Sequence, residues 1–247
     1  YQGILFNKQV FNYPNHKLAK MTLDLTEFLL FNLALSYKKI NFSLHHSIKD
    51  IRAFQWFNYN KPIKYHFKIT PRYTGILNLN EFESFNAVLA QSRKVRVQDY
   101  NKSIKSGFTT IESNQVDILS NLHQKTFERQ GLQRSESEIY LVNEFTKAAL
   151  DAGFATLLVC MNSSNTPAAA SVFLKDDKTG YYLIGATDPE YRKYGVGTHV
   201  LFDQIKLCLK DKLKSIDFIG INSPQRGDFK SSFNAKSELY FDLRYTV

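Results

Sequence analysis

The chain has 247 residues, 43% hydrophobic and 14% aromatic, enough for one large or two small packed domains and incompatible with a disordered tail. Its net charge of +9 asks for an anionic partner, but the excess is lysine spread along the chain, 23 Lys against 9 Arg, which does not single out nucleic acid. Cys160 and Cys208 each sit in an apolar stretch with no CxxC or Cys/His companion, which argues against a disulfide framework or a zinc site and suits a reducing compartment; no metal is expected.

Read in chain order, YQGILF (1–6) suggests a strand, and a helical pattern follows from about Leu18 to Tyr37. Its apolar run FLLFNLALSY (28–37) is short of the roughly 20 residues that a membrane helix needs. INFSLHH (40–46) alternates as a strand, which would send His45 and His46 to opposite faces. DIRAFQWF is a short helix or turn. Residues 64–79 are β-rich, with Pro71 dividing them into two strands or marking an edge. Residues 83–107 read as one or two helices closed by Gly107. A strand at 108–113 leads to a helix through Gln130, capped by Ser113 or Asn114. Ser135 and Glu138 have capping-box spacing for a helix ending at Gly153. Strands follow at 154–161, 168–175 and 181–188, then a helix from Gly197 to Leu213, and strands at 216–221 and 239–247.

Between the strand at 181–188 and the helix lies DPEYRKYGVGTHV (188–200), holding Arg192-Lys193-Tyr194-Gly195-Val196-Gly197 in the form R-x-x-G-x-G. A helix N-terminus offers unpaired N–H groups and a partial positive charge, and glycine lets a diphosphate approach the backbone. The dinucleotide pattern G-x-G-x-x-G and the P-loop are absent from this segment, which disfavours a nicotinamide or ATP site. The other reading of the two glycines is a tight turn. Asp188 and Glu190 suit capping of that turn, since anions beside a diphosphate would repel it.

This order of strands, R-x-x-G-x-G and helix resembles the GNAT acyltransferase core over residues 108–247, and the IDF stretch at 216–218 and RGDFKSSF (226–233) resemble its FemAB-like branch, the peptidoglycan-bridge aminoacyltransferases and polysaccharide-locus acetyltransferases. Phe229, Lys230 and Phe233 match that branch's terminal FK-x-x-F segment, which usually continues with Gly where this chain has Asn234. KITPRYTGILNLNEF and the basic helix after it resemble the branch's first domain. The resemblance implies an α+β fold with a mixed sheet and two tandem GNAT-like domains, 1–107 on the acceptor side and 108–247 on the acyl-coenzyme A side. The first would be incomplete at its N-terminus; residue 1 is Tyr, so the natural start and any targeting segment are expected outside this sequence.

The same resemblance implies that acyl-coenzyme A is the co-substrate, held by Arg192, Lys193, Tyr194, Gly195, Val196, Gly197 and Thr198. Gly185, Ala186 and Thr187 would run beside the pantetheine arm and offer N–H groups to an oxyanion. Gly185 is either a bulge or an ordinary strand glycine. Lys230 would stabilise charge at the reacting carbonyl; apart from the resemblance it reads as a surface lysine. Asp217 would accept a proton from the amine, or sit in a buried ion pair. Arg72 and Tyr73 would bind the acceptor, whereas Arg93, Lys94 and Arg96 read as a solvated helix face. The expected reaction is transfer of an acetyl or larger acyl group to an amino group, on an amino sugar of a cell-envelope polysaccharide, by a cytoplasmic enzyme at or near the inner face of the membrane, with a small-molecule or lipid-linked sugar as partner. The alternatives are an aminoacyl-tRNA-dependent transferase and a non-catalytic binding module.

Overall fold

The computed structural model describes Tyr1 and residues 3–246. In chain order the regular elements are α1 (Asn15–Ser36), β1 (Lys39–Ser43), α2 (Arg52–Trp56), β2 (Lys68–Asn78), α3 (Phe85–Gln91), α4 (Lys94–Lys105), β3 (Thr109–Glu112), α5 (Val116–Glu128) and α6 (Glu136–Asp151). They continue with β4 (Ala155–Met161), β5 (Pro167–Lys175), β6 (Thr179–Thr187), α7 (Val196–Lys210), β7 (Ser215–Asp217), α8 (Pro224–Ser231) and β8 (Lys236–Thr246). The mixed α+β class expected from the sequence is borne out. The chain divides into two compact units, Tyr1–Thr74 with Glu238–Val247, and Gly75–Ser237; β2 and β8 each pass from one unit into the other.

In the first unit, β1 pairs antiparallel with β8, from Lys39 opposite Thr246 to Ser43 opposite Asp242. Leu30 of α1, Leu44, Phe54 of α2, Phe67 and Leu243 form its core. The strand expected at 1–6 is not formed by the described residues of that stretch. Ile4 packs against the core and Leu5 is 98% exposed, the alternation of a half-buried strand, but no described residue of the stretch pairs in a ladder. Residues 64–79 give one strand beginning at Lys68, with Pro71 inside it and solvent-exposed. His45 and His46 lie past the end of β1, with ring centroids 4.1 Å apart rather than on opposite faces.

In the second unit β3, β4, β5 and β6 are successive antiparallel neighbours, β7 joins β6 in parallel, and the end of β2 lies antiparallel to β7. Side chains alternate across a strand, and β4 shows it: Leu157 and Val159 pack with Leu119 and Leu122 of α5, while Leu158 and Cys160 pack with Val196 and Val200 of α7. The two helices thus cover opposite faces, and β5, Ala168-Ala169-Ala170-Ser171-Val172-Phe173, is buried throughout. The capping box of α6 is present at Ser135 and Glu138. Helix α8 did not show in the sequence pattern: it is short, and its buried residues are Gly227 and Lys230. The strand expected at 216–221 stops at Asp217. Among the described residues no helix is long and apolar enough to cross a membrane, and no group of three or more His, Cys, Asp or Glu is placed to hold a metal.

Candidate active site

The ladder between β6 and β7 covers only Thr179–Tyr181 against Ser215–Asp217. Beyond Asp217 the chain turns away through Ile219 (φ 47°) and Gly220 (φ 64°), while β6 runs on to Thr187. A cavity of about 780 Å³ lies along this freed stretch, lined by Tyr182–Thr187 and by residues of the second unit alone. Just before Gly185, β6 carries a bulge: Phe173 faces Tyr182 and Val172 faces Ile184, leaving Leu183 as the extra residue. A methyl group on Gly185 would lie 1.7 Å from the Tyr182 hydroxyl, so this glycine makes room for the ring. Of the backbone donors expected here, the Thr187 N–H is engaged by Thr126 Oγ1 of α5 at 3.2 Å.

Arg192, Gly195, Gly197 and Thr198 also line the cavity. Gly195 is the N-cap of α7 in the left-handed conformation (φ 76°), and the first intrahelical bond runs from the His199 N–H to the Gly195 carbonyl at 3.0 Å. The amides at Val196 and Gly197 precede that bond and carry the positive end of the helix dipole. A methyl on Gly195 would lie 2.5 Å from the Asp99 carbonyl oxygen, so close packing against α4 also demands this glycine. Asp188 caps the preceding turn through the Glu190 N–H (3.0 Å) and pairs with Lys125 at 2.6 Å. Lys193, Tyr194 and Val196 lie off the cavity wall: Val196 is buried, Tyr194 packs against Phe108, and Lys193 sits over the Tyr194 ring.

Helix α4 is bound to α7 side chain by side chain. Arg96 donates to Thr198 Oγ1 (3.2 Å) and pairs with Asp99 (3.0 Å), and the Thr198 hydroxyl reaches Asp99 at 3.3 Å. Deeper in, Ser103 Oγ meets His199 Nδ1 at 2.8 Å, His199 Nε2 lies 3.2 Å from Asp203, and the Tyr100 hydroxyl donates to Asp203 at 3.2 Å. Ser103, His199 and Asp203 are not among the cavity-lining residues.

Lys230 and Asp217 converge on the turn that ends β7. Lys230 is 7% exposed, and its ammonium donates to the carbonyls of Phe218, Ile219 (2.5 Å) and Gly220 (3.3 Å). Asp217, fully buried, accepts the Ile219 N–H at 2.8 Å. A β-branched residue at positive φ is strained, and these two side chains hold it there. Burial pulls the Lys230 pKa down to about 8, the neighbouring Arg226 pulls the same way, and the charge of Asp217 opposes them. Lys230 lines the cavity; Asp217 does not.

Further lining comes from α5, α6 and the loop between them, including His123, Phe127, Leu132, Leu141, Val142 and Phe145. The His123 Nδ1 accepts a hydrogen bond from Arg134 at 2.8 Å, and burial together with that guanidinium pushes its pKa down to about 4. The ring is then neutral with its proton on Nε2. None of these residues stood out in the sequence as a candidate for the site. Arg96, read there as part of a solvated face, is partly buried against Phe229. Arg72 pairs with Asp242 at 3.0 Å, and both it and Tyr73 belong to the first unit.

Residues 93–231, more than half of the chain, match the acetyltransferase (GNAT) domain family. The match begins at Arg93, the N-cap of α4, and so takes in the helix bound to α7. No curated protein matches the chain. Among solved structures, FemX superposes with a TM-score of 0.67 at 12% identity, over 92% of this chain and 77% of that one. A conserved protein of unknown function from Bacteroides thetaiotaomicron gives 0.64 at 10% identity, over 91% and 75%. L-PGS from Bacillus licheniformis gives 0.59 at 12% identity, over 90% and 72%. At such identities the likeness is one of fold, and the fold is the FemAB-like one. The chain belongs to the GNAT acetyltransferase family and is a GNAT-type acyltransferase.

Proposed function

We propose that the chain moves an acetyl or larger acyl group from acyl-coenzyme A to an amino group. The observation that carries this reading is one cavity lined both by the glycine turn and N-terminus of α7 and by the freed stretch of β6. The helix end suits a diphosphate, and the β6 edge suits an extended amide-bearing arm. The amine attacks the thioester carbonyl, the C–S bond breaks and the coenzyme thiol leaves, with the protein chiefly positioning the pair. In this reading Lys230 adds a fixed positive charge beside the reacting carbonyl. Its N–H groups already serve the 218–220 turn, so its part is electrostatic rather than that of a free donor. Asp217 holds the same turn and supports the charge of Lys230. Arg72 is engaged by Asp242 and needs no ligand.

The division into an acceptor half (1–107) and an acyl-coenzyme A half (108–247) belongs to this proposal, with the amendment that α4, before that boundary, contributes Arg96 and Asp99 to the cavity. The acceptor we favour is an amino sugar of cell-surface polysaccharide synthesis, on the strength of the FK-x-x-F resemblance. The aminoacyl-tRNA reading has one observation in its favour. The first unit holds twelve Lys and Arg against five Asp and Glu, a net +7, whereas the second holds twenty against eighteen, a net +2.

Calorimetric titration with acetyl-coenzyme A tests the proposal. Arg192 is exposed, so Arg192→Ala is expected to weaken binding about tenfold with thermal stability unchanged. An Arg192→Ala protein that binds as tightly as the parent, or a parent that binds charged tRNA and not the thioester, overturns it.

A further inference from the structure

The cavity continues into a second compartment of about 520 Å³, and the two share His123, Phe127, Leu132, Leu141 and Val142. The annex is lined only by residues 123–142, from α5, α6 and the loop joining them; it takes nothing from β6, α7 or the glycine turn. Its walls are the apolar side chains Phe127, Leu132, Leu141 and Val142, with His123, Gln133, Arg134 and Glu138 as its polar members. Leu132 and Leu141 are 51% and 65% exposed, on ground where an acyltransferase with a wholly polar acceptor has no need of leucine.

The compartment is also preformed. Arg134 reaches back from the loop to donate to His123 Nδ1 (2.8 Å) and to the Glu138 carbonyl (3.0 Å), and its guanidinium lies 5.4 Å from the centre of the Phe127 ring. One side chain thus ties the loop to both helices, and the neutral His123 keeps the annex free of a second cation at that point. An apolar lining with a few fixed polar groups is the usual make-up of a small-molecule pocket.

We propose that the annex binds the apolar body of the acceptor, so that the amine acylated by this protein carries an aliphatic or aromatic group, in place of the bare amino sugar that the FK-x-x-F resemblance alone favours. This rests on the proposed acyl transfer, because it takes the glycine-turn part of the cavity as the donor's. The two reactants must approach the thioester carbonyl from different sides, and the annex is the part of the cavity that no donor-side element touches.

Direct binding tests it without requiring turnover. Phenethylamine, hexylamine and glucosamine are titrated into the protein and into Leu141→Glu, a position 65% exposed and outside the packed core; Leu141→Met serves as the conservative variant. The two apolar amines are expected to bind the parent at least tenfold tighter than glucosamine, to lose at least tenfold in Leu141→Glu, and to be retained in Leu141→Met, with coenzyme A affinity the same in all three. Equal binding of the three amines, or apolar binding indifferent to Leu141→Glu, overturns the proposal. So does a Leu141→Glu protein that loses hexanoyl-coenzyme A but keeps the amines, which would give the annex to the donor's acyl chain. Failure of coenzyme A to bind at all would remove the acyl-transfer reading while leaving the amine measurements to judge the annex.

Discussion

Lys230 is a buried charge on which the fold itself draws. Its ammonium replaces lost water with the carbonyls of Phe218, Ile219 and Gly220. Lys230→Met leaves those carbonyls without it and releases a strained Ile219, so the unfolding free energy is expected to fall by about 3 kcal/mol, measurable by denaturant titration. The folded pKa of about 8 lies below the ordinary value of 10.5. Between those two values the unfolded chain keeps a proton that the folded chain has released, so this group makes the fold more stable as pH rises through that window, and its burial cost is fully present below it. Activity should run the other way. If the charged form serves the transition state, the rate falls as pH rises through about 8, and a rate flat from pH 7 to 9 would show that the charge plays no such part. The sequence marked Lys230 only through its likeness to a family segment, because twenty-two other lysines look the same in a row of letters.

Among the elements, α7 was expected at Gly197–Leu213 and runs from Val196 to Lys210. Its apolar spacing was legible, and so was the turn before it, because glycine, aspartate and proline leave a mark on local geometry. What the letters could not convey is that packing against α4 by itself demands a glycine at 195. Gly195→Ala is expected to cost about 2 kcal/mol or more, since a methyl would meet the Asp99 carbonyl at 2.5 Å and the residue would be held at φ 76°. A loss of coenzyme binding in that variant therefore reports on packing, and full stability in it would mean that α4 yields easily at this point. Helix α8 and the annex between α5 and α6 stayed hidden for a related reason. The first is defined by a lysine turned inward, the second by leucines left in the open, and both go against the pattern that makes an element readable.

For the molecule as a whole, the separation of charge sets the expectation. With a net +7 on the first unit and +2 on the second, retention on a polyanion such as heparin at low salt is expected to depend on the first. Replacing Lys38, Lys39, Lys61 and Lys64 by Glu should move elution to markedly lower salt, and the same change at Lys175, Lys178, Lys210 and Lys212 should move it less. Equal shifts would mean that total charge alone governs retention. The first unit has a further property: it is assembled from two stretches far apart in the chain, residues 1–74 and 238–247. Strand β1 has β8 as its neighbour, and Leu243 and Tyr245 complete the core around Leu30 and Phe54. On the ribosome, then, residues 1–74 are made long before the segment 238–247 that completes their core. They must wait, with their leucines and phenylalanines uncovered, until nearly the whole of the described chain has been translated, which makes this protein a natural client for chaperones that hold nascent polypeptides.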